Sequence, residues 1–250
     1  MEQKFLFFDT ETTDIQSKDI IQLAFVTSDG KEFNEYYKPE QDITFGAMAV
    51  HHITPEFLED KPKFKEAMVQ DSNSMTLFSE IPLSQYLNNL AKEYIWVAHN
   101  VQFDMEVLKK KGVEIPKTIC TLKVARNMLG LDDNKKDLES YSLQYLRYYL
   151  GLYKKEKGKN QITAHDALSD VYVLKNLFEY LQENSVLTPE NMTVISKEPQ
   201  YIRTITFGKY AGYNLEEIVK TDREYLEWLK ENANDKKDLV WNIDRVLSSR

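Results

Sequence analysis

The stretch Phe5-Leu6-Phe7-Phe8-Asp9-Thr10-Glu11-Thr12-Thr13 limits what this chain can become more than any other. Four consecutive apolar residues read as a strand buried on both faces, because a half-buried strand would alternate. That strand runs directly into two acids. Residues i and i+2 of an extended backbone point to one side, so Asp9 and Glu11 aim at a common point. Like charges placed there raise each other's pKa unless a cation lies between them. Converging hard oxygen ligands suit Mg²⁺ or Mn²⁺. The plainer reading is a strand leaving the core with solvated acids at its end.

The rest of the chain supplies the context. Ile20–Thr27 reads as a second strand, Asp29-Gly30 as a turn and Phe33–Tyr37 as a returning strand, an antiparallel opening. A short helix is expected over Ala47–His52. Another would start at Thr54-Pro55-Glu56, with further helices around Phe64–Val69 and Leu83–Leu90. Tyr94–Ala98 is a buried strand ending at His99-Asn100. Phe103–Lys111 is a helix closed by Gly112, and Asn100 is its candidate cap. A short strand near Ile119, helices over Leu122–Leu129 and Ser142–Leu150, and a basic loop Lys154–Lys159 follow. The longest helix is Ala164–Leu181. Strands alternating with helices after an opening meander argue an α/β fold with a mixed sheet.

Residues 183–200 loosen around Pro189 and Pro199 and read as a linker between a domain over 1–182 and a module over 201–250. The module has a strand-like start (Tyr201–Phe207), a Gly208/Gly212 turn and helical stretches at Leu215–Val219 and Tyr225–Lys230, an α+β pattern. Its core candidates are Phe207, Tyr210, Tyr225 and Trp228.

Composition narrows the function. A net charge of −8 argues against a broadly basic DNA-coating surface but leaves room for a metal-filled acidic site. No apolar run approaches the roughly 20 residues of a membrane span, and Phe5–Phe8 is too short for a signal sequence. The single Cys120 excludes an intramolecular disulfide framework and a multi-cysteine zinc site. These features predict a cytoplasmic protein without a membrane partner.

Two more acids stand out. Ala167, Val171, Leu174, Phe178 and Leu181 form an apolar stripe at helical spacing, and Asp170 lies on it. A carboxylate on a buried face is costly unless it is paired or binds a metal, and an arginine from another element could serve as well. Asp104 falls in the first turn of its helix, beside Val107 and Leu108. His165 precedes Asp170 by five residues, about 140° around a helix, so the two would not stack as co-ligands. Beside a metal-bound water, a histidine is a reasonable general base.

With these residues in view, Asp9-Thr10-Glu11-Thr12-Thr13, His99-Asn100-x-x-Phe103-Asp104 and His165-x-Ala167-x-x-Asp170 resemble the three exonuclease motifs of the DnaQ-like 3′–5′ exonucleases, ribonuclease H-like folds of the DEDD superfamily. The resemblance covers residues 4–182, and Ala47–Thr54 is similar to the segment between the first two motifs. His165, with Asp166 where a tyrosine would otherwise stand, fits the histidine subgroup. Asp14 departs from the glycine found in many members. The resemblance implies a ribonuclease H-like sheet flanked by helices and two Mg²⁺ ions, with Mn²⁺ a substitute, about 4 Å apart across the scissile phosphate. Asp9 would bridge them, Glu11 and Asp170 would help hold one, Asp104 would hold the other, and His165 would take the proton from water. Thr12, Thr13, Met48, His51, Asn100 and Phe103 would line the pocket of the terminal nucleotide. The implied substrate is a DNA 3′ end, released as 5′-mononucleotides, with a polymerase or repair protein as a possible partner. A polymerase proofreading subunit, an RNA-trimming enzyme and an inactive DNA-end-binding module are the alternatives. Phe207-Gly208-Lys209-Tyr210-Ala211-Gly212, with Tyr225-Leu226-x-Trp228-Leu229, resembles the small domain appended to exodeoxyribonuclease X-like proteins, and Lys209 with Tyr210 could meet a phosphate and a base.

Overall fold

The computed structural model describes residues 3–70, 80–130, 138–156, 165–233 and 236–249. Chain contacts divide it into two units, residues 1–196 and 197–250.

The first unit is built on β1 (Phe5–Thr12), which carries the four apolar residues and both acids on one strand. It pairs antiparallel with β2 (Ile20–Thr27), and β2 pairs antiparallel with β3 (Glu32–Tyr36). After α1 (Phe45–His51), a two-stranded β4 (Met68–Gln70) and β5 (Glu80–Pro82), and α2 (Leu83–Glu93), the chain returns as β6 (Ile95–Ala98). This strand lies parallel to β1, and β7 (Thr118–Cys120) lies parallel to β6. The sheet order is β3-β2-β1-β6-β7, mixed as expected, with β1 at its centre.

Alternation then sorts β1 into two layers. Leu6 and Phe8 join Leu23, Phe25 and Trp96 under α2 and α3 (Val101–Lys110). Phe7 joins Ala24, Val26 and Val97 under α4 (Thr121–Gly130), α5 (Leu143–Tyr149) and α6 (Ala167–Glu183). Asp9 and Glu11 share the parity of Phe7 and so lie toward α6. Thr10 shares that of Phe8 and lies toward α3. Cys120 is buried in the first layer.

Some local expectations fail for identifiable reasons. No α-helix forms after Thr54: its hydroxyl accepts the Phe57 amide at 3.4 Å, but the chain closes only successive three-residue turns (Leu58 to Pro55, Lys61 to Leu58) before Pro62. Phe64–Val69 is one 3₁₀ turn, Phe64–Glu66, followed directly by β4. Of the expected basic loop, Lys154–Glu156 belong to a 3₁₀ helix, Leu152–Glu156, and Lys157–Lys159 lie outside the described residues. The helix expected from Ala164 begins at Ala167, capped by Asp166, whose carboxylate accepts the Ser169 amide at 3.1 Å. The expected linker, 183–200, contains α7 (Pro189–Lys197). Pro189 fits the first helical turn, and Met192 is fully buried in the cluster that contains Phe7.

The second unit is helical: α8 (Leu215–Thr221), α9 (Arg223–Asn232) and α10 (Lys237–Ser248). Among the described residues its strand-like start makes a single antiparallel bridge, Thr204 to Asn214. The core is aliphatic, with Ile205, Leu215, Ile218, Leu226, Leu229 and Ile243 buried. Tyr210 and Tyr225 pack at its edge, whereas Phe207 and Trp228 are exposed. Among the described residues no helix is long and apolar enough to cross a membrane.

Candidate active site

Asp9 and Glu11 leave β1 opposite Ala24 and Gln22, and the β1–β2 register shifts between Glu11 and Thr12. Asp170, in the first turn of α6, meets them. One carboxylate oxygen from each of Asp9, Glu11 and Asp170 lies within 4.8 Å of the others. Asp170 and Asp104 are buried, while Asp9 and Glu11 are half-buried. Burial, then the charges of Asp104, Glu11 and Asp170, pushes Asp9 well above the usual carboxylate range. Burial, then Asp170 and Asp104, pushes Glu11 up to about 8. Asp104 is pushed up to about 7 by burial, against the opposing hydrogen bonds from Thr10. Burial also raises Asp170, while the His165 amide and Gln144 oppose it. Such a site favours neutralisation, by protons or by cations. The donors are all hard oxygens, which fit a Mg²⁺-type ion.

Asp104 stands outside the three-acid group but acts on its charges. Its Oδ1 accepts from both the amide and the hydroxyl of Thr10, at 3.1 and 2.6 Å. Asp170 Oδ1 accepts from Gln144 on α5, and Arg147 Nη1 donates to Gln144 Oε1 at 3.0 Å, so an arginine reaches this acid through the glutamine. An arginine acts only as donor and a carboxylate only as acceptor, so the Gln144 amide has one possible orientation. Nothing in the local sequence pattern marks Thr10 or Gln144 as part of the site.

His165 is exposed and left-handed (φ 63°), one residue before the cap of α6. Its amide donates to Asp170 Oδ2 at 3.1 Å, so the chain is pinned to the acid at the histidine itself. Asp166 accepts from Gln22 Nε2 at 3.0 Å, and Gln22 Oε1 accepts the Ala167 amide at 3.3 Å, tying the α6 entry to β2.

The residues expected to line a nucleotide pocket divide. His51 is buried. Its Nδ1 accepts the Ile53 amide at 3.0 Å, so Nε2 carries the proton and is directed to the Thr12 backbone. Burial lowers its pKa, and the Thr12 hydrogen bond opposes that shift. Met48 packs beside Ile21, Ile43 and Ile53. Thr12 is buried with its hydroxyl on the Asp14 carbonyl at 2.9 Å. Thr13 is wholly buried, its hydroxyl 3.0 Å from Ser17 Oγ, so it shapes the loop rather than facing a ligand. Asp14 organises that loop by accepting the Gln16 and Ser17 amides, a role glycine could not fill. Asn100 occupies the cap position of α3, but it is left-handed and exposed and its side chain caps nothing. Phe103 is half-buried, with Lys18 Nζ 4.7 Å from its ring centre. His99 has both nitrogens engaged: Nε2 lies 2.8 Å from the Tyr141 carbonyl, so it carries the proton, and Nδ1 lies 2.9 Å from the Thr121 hydroxyl.

With sheet and acids placed, the relationships to known proteins agree. The family described as "Exonuclease" matches residues 6–178, and the exodeoxyribonuclease X-like C-terminal domain matches residues 205–234. The chain belongs to the exonuclease family, and it is a 3′–5′ exonuclease of the DnaQ-like type. It is 31% identical over 234 residues to exodeoxyribonuclease 10 of Escherichia coli K12, covering 90% of each chain. The epsilon subunit of DNA polymerase III from Buchnera aphidicola (subsp. Schizaphis graminum) is 26% identical over 260 residues, covering 92% of this chain and 98% of that one. Among solved structures, exonuclease X in complex with 5′ overhanging duplex DNA superimposes with a TM-score of 0.52 at 26% identity, over 77% of this chain and 99% of that chain. Escherichia coli exonuclease I bound to single-stranded DNA, at 20% identity and TM-score 0.52, shares the fold over 74% of this chain and 42% of its own.

Proposed function

We propose that this chain hydrolyses DNA stepwise from 3′ ends, releasing 5′-mononucleotides, in end processing or repair. The observation that carries the reading is the approach of Asp9, Glu11 and Asp170 within 4.8 Å, with the charge of Asp104 beside them. Two Mg²⁺ ions would be held by Asp9, Glu11, Asp170 and Asp104. When bound, they supply Lewis-acid stabilisation of the charge that develops on the phosphate. His165 takes the proton from the attacking water, at a position fixed by its own amide on Asp170. Met48, His51 and Phe103 border the terminal nucleotide. The likeness to exonuclease X, whose structure holds 5′ overhanging duplex DNA, supports the substrate. The epsilon-subunit relatives support association with a polymerase and are consistent with a cytoplasmic protein.

The deciding experiment uses matched 5′-labelled single-stranded DNA and RNA oligonucleotides, with Mg²⁺ or EDTA, and Asp9→Ala alongside. A Mg²⁺-dependent ladder shortening from the 3′ end, faster on DNA and absent in the variant, is expected. A faster RNA ladder would overturn the substrate assignment. Absence of any ladder would overturn the catalytic one.

A further inference from the structure

Five lysines from three separate segments surround one cavity of about 250 Å³ in the first unit: Lys38, Lys63, Lys65, Lys110 and Lys111. Two carboxylates, Asp19 and Glu40, share it, so five positive charges less two negative leave a local surplus of three in a chain whose net charge is −8. We propose that this cavity is a second nucleic-acid subsite, which takes the sugar-phosphate backbone of the substrate at a distance from the scissile bond. The proposal rests on the exonuclease reading above and adds a binding site to it.

The carboxylates hold the lysines in place more than they cancel them. Buried Asp19 takes Lys111 Nζ at 2.6 Å and also accepts the Glu40 and Gln41 amides, fixing the turn after β3 against the end of α3. Glu40 faces Lys65, with Lys63 Nζ at 4.0 Å. The Lys38 amide donates to the Pro62 carbonyl at 3.0 Å, which draws the 38–40 and 62–65 segments together. An ammonium has three donors, so a lysine engaged by one oxygen keeps donors for a phosphate. Lysines are compact charges on flexible stems, which suits backbone contact without base reading.

Continuity with the acids favours nucleic acid as the occupant. The loop that leaves β1 just after Glu11 ends at Asp19, closed by the Thr13 amide on the Asp19 carbonyl at 2.9 Å, and Lys110 Nζ donates to the Ser17 carbonyl in that loop at 2.7 Å. Along α3, Lys110 and Lys111 lie six and seven residues beyond Asp104, about 9–10 Å of helix. A strand whose 3′ end sits at the acids needs only a few nucleotides to reach the cavity.

The test combines Lys63→Gln, Lys65→Gln and Lys110→Gln, leaving Lys111 because it pairs with buried Asp19. Binding of a 15-nucleotide and a 2-nucleotide single-stranded DNA is followed by fluorescence anisotropy in metal-free buffer across salt concentrations. Cleavage of the dinucleotide is followed with Mg²⁺. The triple variant should bind the 15-mer on the order of tenfold more weakly, and its plot of log affinity against log salt should flatten by about 2, roughly 0.7 for each phosphate no longer neutralised. Dinucleotide binding and cleavage should not change. An unchanged salt slope, or equal weakening of both lengths, overturns the subsite. So does a parallel loss of 5′-mononucleotide binding, which would mark a free-nucleotide pocket. If the triple variant does not fold, the single Lys63→Gln and Lys65→Gln variants, at side chains 40% and 62% exposed, carry the same comparison at about 0.7 each. Wild-type protein that shortens no oligonucleotide counts against the exonuclease reading, while the anisotropy arm still decides the cavity.

Discussion

Thr10 gives its amide and its hydroxyl to the same oxygen of Asp104, so the residue between the two β1 acids is the one that holds the acid on α3. Thr10→Val keeps the shape and the amide bond but removes the hydroxyl. Hydrogen bonds to a charged group are worth about 1.5–3 kcal/mol. Asp104 should then become harder to ionise, and the acidic limb of kcat/KM against pH should move upward. A profile that superimposes on wild type would show that the hydroxyl does not tune the site.

Metal-free protein should lose stability as pH rises. Asp104 and Glu11 have folded-state pKa values of about 7 and about 8, above those of unfolded carboxylates, and Asp9 and Asp170 are also raised. The folded state therefore binds more protons than the unfolded state between roughly pH 4 and 8, and its stability falls across that window. Thermal unfolding in EDTA from pH 5 to 8.5 should show a declining Tm that Mg²⁺ restores most at the alkaline end. Asp9→Asn should flatten the decline while abolishing cleavage.

Gln144→Leu should weaken Mn²⁺ binding about tenfold by titration calorimetry, because Asp170 loses an orienting donor and Arg147 loses an acceptor. The fold should survive. Unaltered affinity would leave Gln144 as a packing residue only.

His165 is best tested as asparagine, which tolerates the left-handed backbone at φ 63°. Its amide still serves Asp170, so Mn²⁺ affinity should hold while kcat falls on the order of 10²–10⁴-fold. A parallel loss of metal affinity would assign the residue to the metal site instead of proton transfer.

Gly208→Ala should destabilise the C-terminal unit. The backbone there has φ 71°, and an added Cβ would lie 2.8 Å from the Tyr225 hydroxyl. A cost of about 1–3 kcal/mol is expected. Trp228 and Trp241 report this unit by fluorescence, and an unshifted transition would show that the turn yields freely.

Asp9, Glu11 and Asp170 are legible because periodicity alone places them: two alternate positions on a strand, and one acid on an apolar helical stripe. Asp104 follows from its place beside Val107 and Leu108. Thr10 and Gln144 are not legible, since their partners lie 94 and 26 residues away and nothing local marks the pairing. The lysine cavity is hidden for the same reason, being assembled from residues scattered between 38 and 111. The sheet is readable through its buried strands. The α7 helix escapes a sequence reading because Pro189 looks like a breaker in a loose stretch, when at a first turn it is tolerated. In the second unit α10 escapes as well, because the aromatic residues draw attention from the aliphatic core.

Pairing between β1 and β6 extends only as far as Phe7, yet β1 continues to Thr12. The strand's outer half thus stands between two helical layers, with Asp9 and Glu11 answering to α6 and Thr10 to α3. A sideways slip of one layer against the other would misalign the acids while leaving both cores packed. Heat should therefore inactivate this enzyme at a lower temperature than it melts it.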